Sequence, residues 1–140
     1  MENIIDIITA HNSKNESNFN STKVPENYEH ATTSEIPDLF FDDILVQFKL
    51  TRIEIILLMY LYRSTWCKPN LHKEFGMAPI ISHVEVSDKL DISIDILHQT
   101  VRRLEGFGFI ETIRSGQYFV RKYFTEELDK NFSQTYDNFL

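Results

Sequence analysis

The sequence predicts an α+β fold that is mostly helical, on three observations. The first is a pair of capped apolar periodicities in close succession. Ser82, followed three residues later by Glu85, is a capping-box pattern that opens one helix, and Val86 and Leu90 share a face of it. Ser93 caps the next helix, whose stripe is Ile94, Leu97, Val101 and Leu104. The second observation is the tight junction at Asp91, a residue that tolerates the left-handed turn ending the first of these helices. The third is a hairpin signal. Gly106 and Gly108 are expected to stop the second helix, a strand follows over 109–113, the chain turns at Ser115-Gly116, and it returns over 118–123.

Two short helices joined by a tight turn and followed by a hairpin make a winged helix-turn-helix, with a recognition helix over 93–105 and a wing over 109–123. Ile80-Ile81 supplies a candidate third strand for that wing. Helices are expected on both flanks. Pro37 suits the first turn of one, whose stripe is Leu39 or Phe40, then Ile44 and Phe48. Thr51 and Glu54 form a second capping box, opening a helix over 52–63 that is apolar nearly all round and so needs cover on several sides. Residues 66–79 read as a loop punctuated by Pro69, Asn70, Gly76 and Pro79. After the wing, Thr125-Glu126-Glu127 opens a last helix with acid in its first turn and a stripe of Leu128, Phe132, Tyr136 and Phe139.

The folded domain is expected over 36–140. Residues 11–35, rich in Asn, Ser, Thr, Glu and Lys, have too little apolar surface to offset their ordering entropy. Residues 1–35 are therefore read as a flexible N-terminal extension. Ile4, Ile5, Ile7 and Ile8 make residues 1–10 a candidate docking segment for a protein partner.

The run Val86-Ser87-Asp88-Lys89-Leu90-Asp91-Ile92-Ser93 resembles a bacterial pattern in which an apolar residue, a small residue, Leu, Gly, Ile and Ser recur at fixed places. Leu97, Val101, Leu104-Glu105, Gly108 and Phe109-Ile110 continue the match without a gap. The resemblance is to MarR-type regulators and phage replication-protein-type winged helices. Two departures from it matter: Asp91 stands where the turn Gly is usual, and Ile94-Asp95 where polar or basic residues usually meet DNA. The match covers about 40 residues and specifies fold more closely than function. It implies a sequence-specific DNA-binding transcriptional regulator acting as a homodimer, paired through its N- and C-terminal helices. Two alternatives stay open: a winged helix used for protein interaction, as in accessory subunits of chromosome-organising complexes, and the DNA-binding domain of a phage or plasmid replication initiator.

Charge distribution bears on that choice. The net charge of −7 is unlike that of a generic nucleic-acid binder. Residues 1–50 hold three Lys against nine Asp and Glu, which accounts for −6 of it. Between His98 and Tyr123, Arg102, Arg103, Arg114, Arg121 and Lys122 face Glu105 and Glu111, a local +3.

On the recognition helix, Ser93, Asp95, His98, Gln99, Arg102 and Arg103 are the candidate DNA-binding residues. Gln reads adenine, Arg reads guanine, and Asp accepts from cytosine although it repels phosphate. On the wing, Arg114, Gln117, Arg121 and Lys122 would lie along the phosphates or the minor groove, where charge sets affinity rather than sequence. Cys67, His72, His83 and His98 lack the paired close spacings of a structural zinc site, so no metal or cofactor is expected. There is no phosphate-cradling Gly loop, nucleophile elbow or paired-carboxylate constellation, and the reading is of a non-enzyme. The single Cys, the acidic N-terminus and the shortness of the longest apolar run suggest a cytoplasmic protein that does not enter membranes.

Overall fold

The helix that begins at the second capping box lies at the centre of the structure. In α1, Arg52–Tyr62, the Thr51 N–H donates to Glu54 Oε1 at 2.8 Å and the Glu54 N–H donates to Thr51 Oγ1 at 3.3 Å, so two otherwise orphaned donors are satisfied reciprocally. Leu57, Leu58, Leu61 and Tyr62 are buried along it, and side chains of this size contribute roughly 1.5–3 kcal/mol each on leaving water. The β-branched run Ile53, Ile55, Ile56 does not divert the chain into a strand. A helix cap and a continuous inner face outweigh that local preference. The computed structural model describes residues 31–136, and residue contacts divide the chain between Thr33 and Ser34. The proposed docking segment over 1–10 and the pair Phe139-Leu140 lie outside the described residues.

The expected leading helix forms, though less regularly than its stripe suggests. It comprises a π-helical turn, Phe40–Ile44, and a short α-helical piece, Leu45–Gln47. Phe40 and Ile44 are buried against the core, where the Phe40 ring lies 5.2 Å from that of Phe124. α1 also continues past its end as a π-helical turn, Arg63–Cys67. The end of α1 and this turn bring two aromatic donors to the end of β2. Tyr62 Oη donates to Lys122 O at 2.8 Å, and Trp66 Nε1 donates to Val120 O at 3.1 Å. The long polar interval after Trp66 holds one 3-10 turn, Lys73–Phe75.

The two capped helices follow as α2, His83–Leu90, and α3, Ile94–Phe107. Ser82 Oγ accepts from the Glu85 N–H at 3.4 Å and Ser93 Oγ accepts from the Ile96 N–H at 3.2 Å. Asp91 ends α2 at φ 55°, in the left-handed region expected of it. α3 runs further than its sequence signal. Gly106 stays inside the helix and Gly108 alone terminates it at φ 87°, because only the residue after the last turn has to adopt the left-handed conformation.

The hairpin consists of β1, Ile110–Arg114, and β2, Gln117–Val120, antiparallel with Ile110 opposite Val120 and a register shift between Thr112 and Arg114. The preceding segment lies along the other edge of β2. It makes a single bridge, Met77 to Phe119, and its backbone bonds link Ala78 N–H to Tyr118 O and Ile81 N–H to Gly116 O at 2.9 and 2.8 Å. Gly116 is needed here twice over. Its φ is 79°, and a Cβ would lie 2.5 Å from the Ile81 carbonyl oxygen.

The last helix corrects the sequence reading. α4 is only Glu126–Asn131, and the chain leaves it through Ser133 at φ 56°, so Leu128, Phe132 and Tyr136 are not one helical stripe. The reason is a buried acid. Asp129 is 3% exposed and accepts from Arg121 Nη1 at 3.1 Å, from the Tyr123 N–H at 3.0 Å and from Tyr136 Oη at 2.7 Å. Tyr136 in turn accepts from the Lys122 N–H at 2.9 Å. Satisfying the carboxylate turns that face of α4 inward and leaves Phe132 outside, 53% exposed and stacked on Tyr123.

Three outcomes follow from these contacts. Asp129→Ala strands the half-buried Arg121 and is expected to cost about 3 kcal/mol, read as a lower midpoint in chemical denaturation. Gly116→Ala is expected to cost more than about 1 kcal/mol, from left-handed strain and the clash with Ile81, in the same measurement. Glu54 gives a pH signature. Burial pushes its carboxyl up, but the bonds from Thr51 and Arg103 outweigh this and hold it below its ordinary value of 4.5. A lowered folded-state value stabilises the fold above pH 4.5, and this contribution is lost as pH falls through the folded value. Glu54→Gln is therefore expected to flatten the acid limb of a stability-against-pH curve.

Candidate nucleic-acid interface

α3 separates its two faces sharply. Leu97, Val101 and Leu104 are buried, joined by Thr100, whose hydroxyl donates to Ile96 O at 2.7 Å. Asp95, His98, Gln99, Arg102 and Arg103 are exposed on the other side. Ser93 is the cap itself, so its hydroxyl oxygen is already used by the Ile96 N–H. Ile94 is half-buried, and the exposed apolar residue is Ile96. Sequence reasoning missed both Thr100 and Ile96, because a four-residue apolar stripe does not reveal how wide the covered face is.

The cations divide into exposed and engaged groups. Arg102 is exposed. Arg103 is largely exposed, yet its Nε is paired with Glu54 Oε2, and its guanidinium lies 5.8 Å from the centre of the Phe107 ring. At the hairpin tip Arg114 is exposed, while Gln117 is buried and accepts from Arg114 Nε at 2.9 Å. Gln117 is thus placed to orient Arg114 rather than to meet a ligand.

Arg121 and Lys122 differ more from the sequence reading. The Arg121 side chain is 22% exposed, paired with Asp129, and packed over Phe119 at 5.2 Å. Lys122 is half-buried, with its ammonium 5.7 Å from the Trp66 ring centre and 5.9 Å from that of Tyr123. Both serve the junction between the hairpin and the C-terminal segment. No sequence signal pairs Arg121 with Asp129, since the pairing depends on where α4 docks.

The structure also assembles a cluster that the sequence does not show. His83, in the first turn of α2, has its ring centre 4.9 Å from that of His98, and its Nε2 lies 2.7 Å from Tyr118 Oη on β2. Burial, then the charge of His98, hold His83 below its ordinary value. Burial, then the charge of Glu105, push the Tyr118 hydroxyl up. Tyr118 is almost fully buried, so the cluster bridges the α2–α3 face and the root of the hairpin.

Among the described residues no group of three or more His, Cys, Asp or Glu is placed to hold a metal ion, and no helix is long and apolar enough to cross a membrane. No protein-family model, no curated protein and no solved structure matches this chain.

Proposed function

We propose that the domain is a winged helix-turn-helix that binds double-stranded DNA as a transcriptional regulator, with α3 as the recognition helix and the β1–β2 hairpin as the wing. The observation that carries this reading is the outer face of α3, where His98, Gln99 and Arg102 are exposed in adjacent turns opposite the buried Leu97, Val101 and Leu104. Side chains of this kind match base edges: Gln the N6 and N7 of adenine, Arg the O6 and N7 of guanine. Arg114 at the hairpin tip adds a cation suited to phosphate. Of the cations between His98 and Tyr123, Arg102 and Arg114 are exposed without an internal acid partner among the described residues, and they support the reading against a chain charge of −7. Homodimerisation, which palindromic sites would favour, belongs to the same proposal.

A second reading is favoured by a different observation. On α3 the exposed Ile96 stands beside the exposed Asp95, and on α2 Val84 is 62% exposed, apolar and acidic exposure that suits a protein partner better than phosphate.

Two variants distinguish base reading from charge. Arg102→Ala is expected to cost roughly 1–3 kcal/mol on the selected sequence and to narrow its margin over random duplex. Arg114→Ala is expected to weaken both alike and to reduce the slope of log affinity against log salt by about one unit. Arg114 is the better charge probe than Arg121, whose removal would also release Asp129. Binding curves on a selected site and on random duplex at several ionic strengths measure all three quantities. Retention of no DNA at low salt would transfer the assignment to the protein-binding reading.

A further inference from the structure

A cleft of about 370 Å³ lies between the hairpin tip and the chain that precedes α2. Pro69, Leu71, Pro79 and Ile80 give it apolar walls, and Arg114 and Gln117 of the hairpin supply polar groups. Leu71 is 92% exposed and Ile80 61%, so this apolar surface stands in water. Sites for small ligands have this size and this make-up, apolar walls with a few convergent polar groups. The cleft is also braced by its own hydrogen bonds. Asn70 Nδ2 donates to Thr65 O at 3.2 Å and to Met77 O at 2.7 Å, and its Oδ1 accepts from the His72 N–H at 3.2 Å. One side chain thus fixes the loop that carries Leu71 at both ends. The Ile81 N–H donates to Gly116 O at 2.8 Å and ties the segment carrying Ile80 to the hairpin tip. A preformed cleft has little ordering entropy left to lose on binding.

The polar groups have spare capacity of one kind. Arg114 Nε donates to Gln117 Oε1 at 2.9 Å, which steadies the guanidinium and leaves its terminal nitrogens without a partner among the described residues. Gln117 is 5% exposed, and its Nε2 makes no hydrogen bond among the described residues. No fully buried side-chain nitrogen or oxygen among these residues lacks a partner, so Nε2 is open to solvent on a residue that lines the cleft. None of the described lining residues is acidic. A guanidinium fork beside an amide N–H offers donors alone, the complement of a carboxylate, whose two oxygens only accept. We infer that the cleft binds a small organic acid, with its carboxylate on Arg114 and Gln117 and its aliphatic body against Leu71 and Ile80. An inorganic anion would satisfy the donors but leave both apolar side chains in water. Acid binding here needs no duplex and goes beyond the reading above.

The test uses the full chain with hexanoate, acetate and hexanamide as probes, followed by backbone amide NMR. Hexanoate is expected to shift the signals of residues 70–72, 80–81 and 114–117 saturably. Acetate lacks the apolar body and hexanamide the charge, and each is expected to bind about tenfold more weakly or worse. Arg114→Gln is expected to lower hexanoate affinity about tenfold, and Arg114→Lys to recover only part of it, because the ammonium keeps the charge but not the fork. Leu71→Ser is expected to weaken hexanoate about threefold and leave acetate unchanged. Leu71 and Arg114 are both exposed, and circular dichroism verifies that each variant is folded. Absence of saturable shifts at these residues overturns the inference, as does equal affinity for hexanamide or an affinity that Arg114→Gln leaves unchanged. None of these outcomes involves duplex, so the DNA reading is decided separately by its own binding curves.

Discussion

α1 must be covered on nearly every side, and the rest of the domain is arranged to meet that requirement. Its inner residues Leu57, Leu58, Leu61 and Tyr62 pack with Leu97, Val101 and Leu104 of α3, with Phe40 and Ile44 of the leading segment, and with Phe109, Val120 and Phe124 around the hairpin. No single neighbour is large enough to do this. A helix on one side, an aromatic segment on another and a strand pair at the end divide the task. The polar ends of α1 are fastened as well. Glu54 joins its start to Arg103 of α3, and Tyr62 joins its finish to the backbone of Lys122, where its ring also stacks on Phe124 at 5.0 Å.

Those fastenings have a functional consequence. Each cation spent on holding the domain together is removed from any ligand. Arg103 serves Glu54, Arg121 serves Asp129, and Lys122 lies between Trp66 and Tyr123. A buried carboxylate without a partner is costly, so these pairings are governed by the acids rather than by the arginines. What remains exposed and, among the described residues, without an internal acid partner is a narrower set: His98, Gln99 and Arg102 on α3 and Arg114 on the hairpin. A basic strip counted along the sequence is thus larger than the one the folded chain presents.

The cluster at His83 illustrates the reverse case, in which folding creates something that counting could not foresee. Residues 83, 98 and 118 lie in three different elements, and no local pattern links them. They meet because α2 crosses α3 at the root of the hairpin. His83 then experiences both the partial loss of water and a second imidazole.

The sequence by itself determined the elements and their limits wherever a local chemical cause exists. Thr51 with Glu54, Ser82 and Ser93 started three helices through their own side chains, Asp91 and Gly108 ended two through backbone conformation, and Ser115-Gly116 placed the turn. Apolar spacing likewise marked Leu97, Val101 and Leu104 as the covered side of α3. Only the tertiary structure decided which polar side chains are spent internally. It shortened α4, because Asp129 rather than Phe132 had to face inward, and it turned Tyr136 back onto Lys122 and Asp129. It also decided that Arg121 is a partner of Asp129 and that His83 meets His98. The physical reason is range: caps and turns act over three or four residues, whereas ion pairs and ring contacts depend on where distant elements dock.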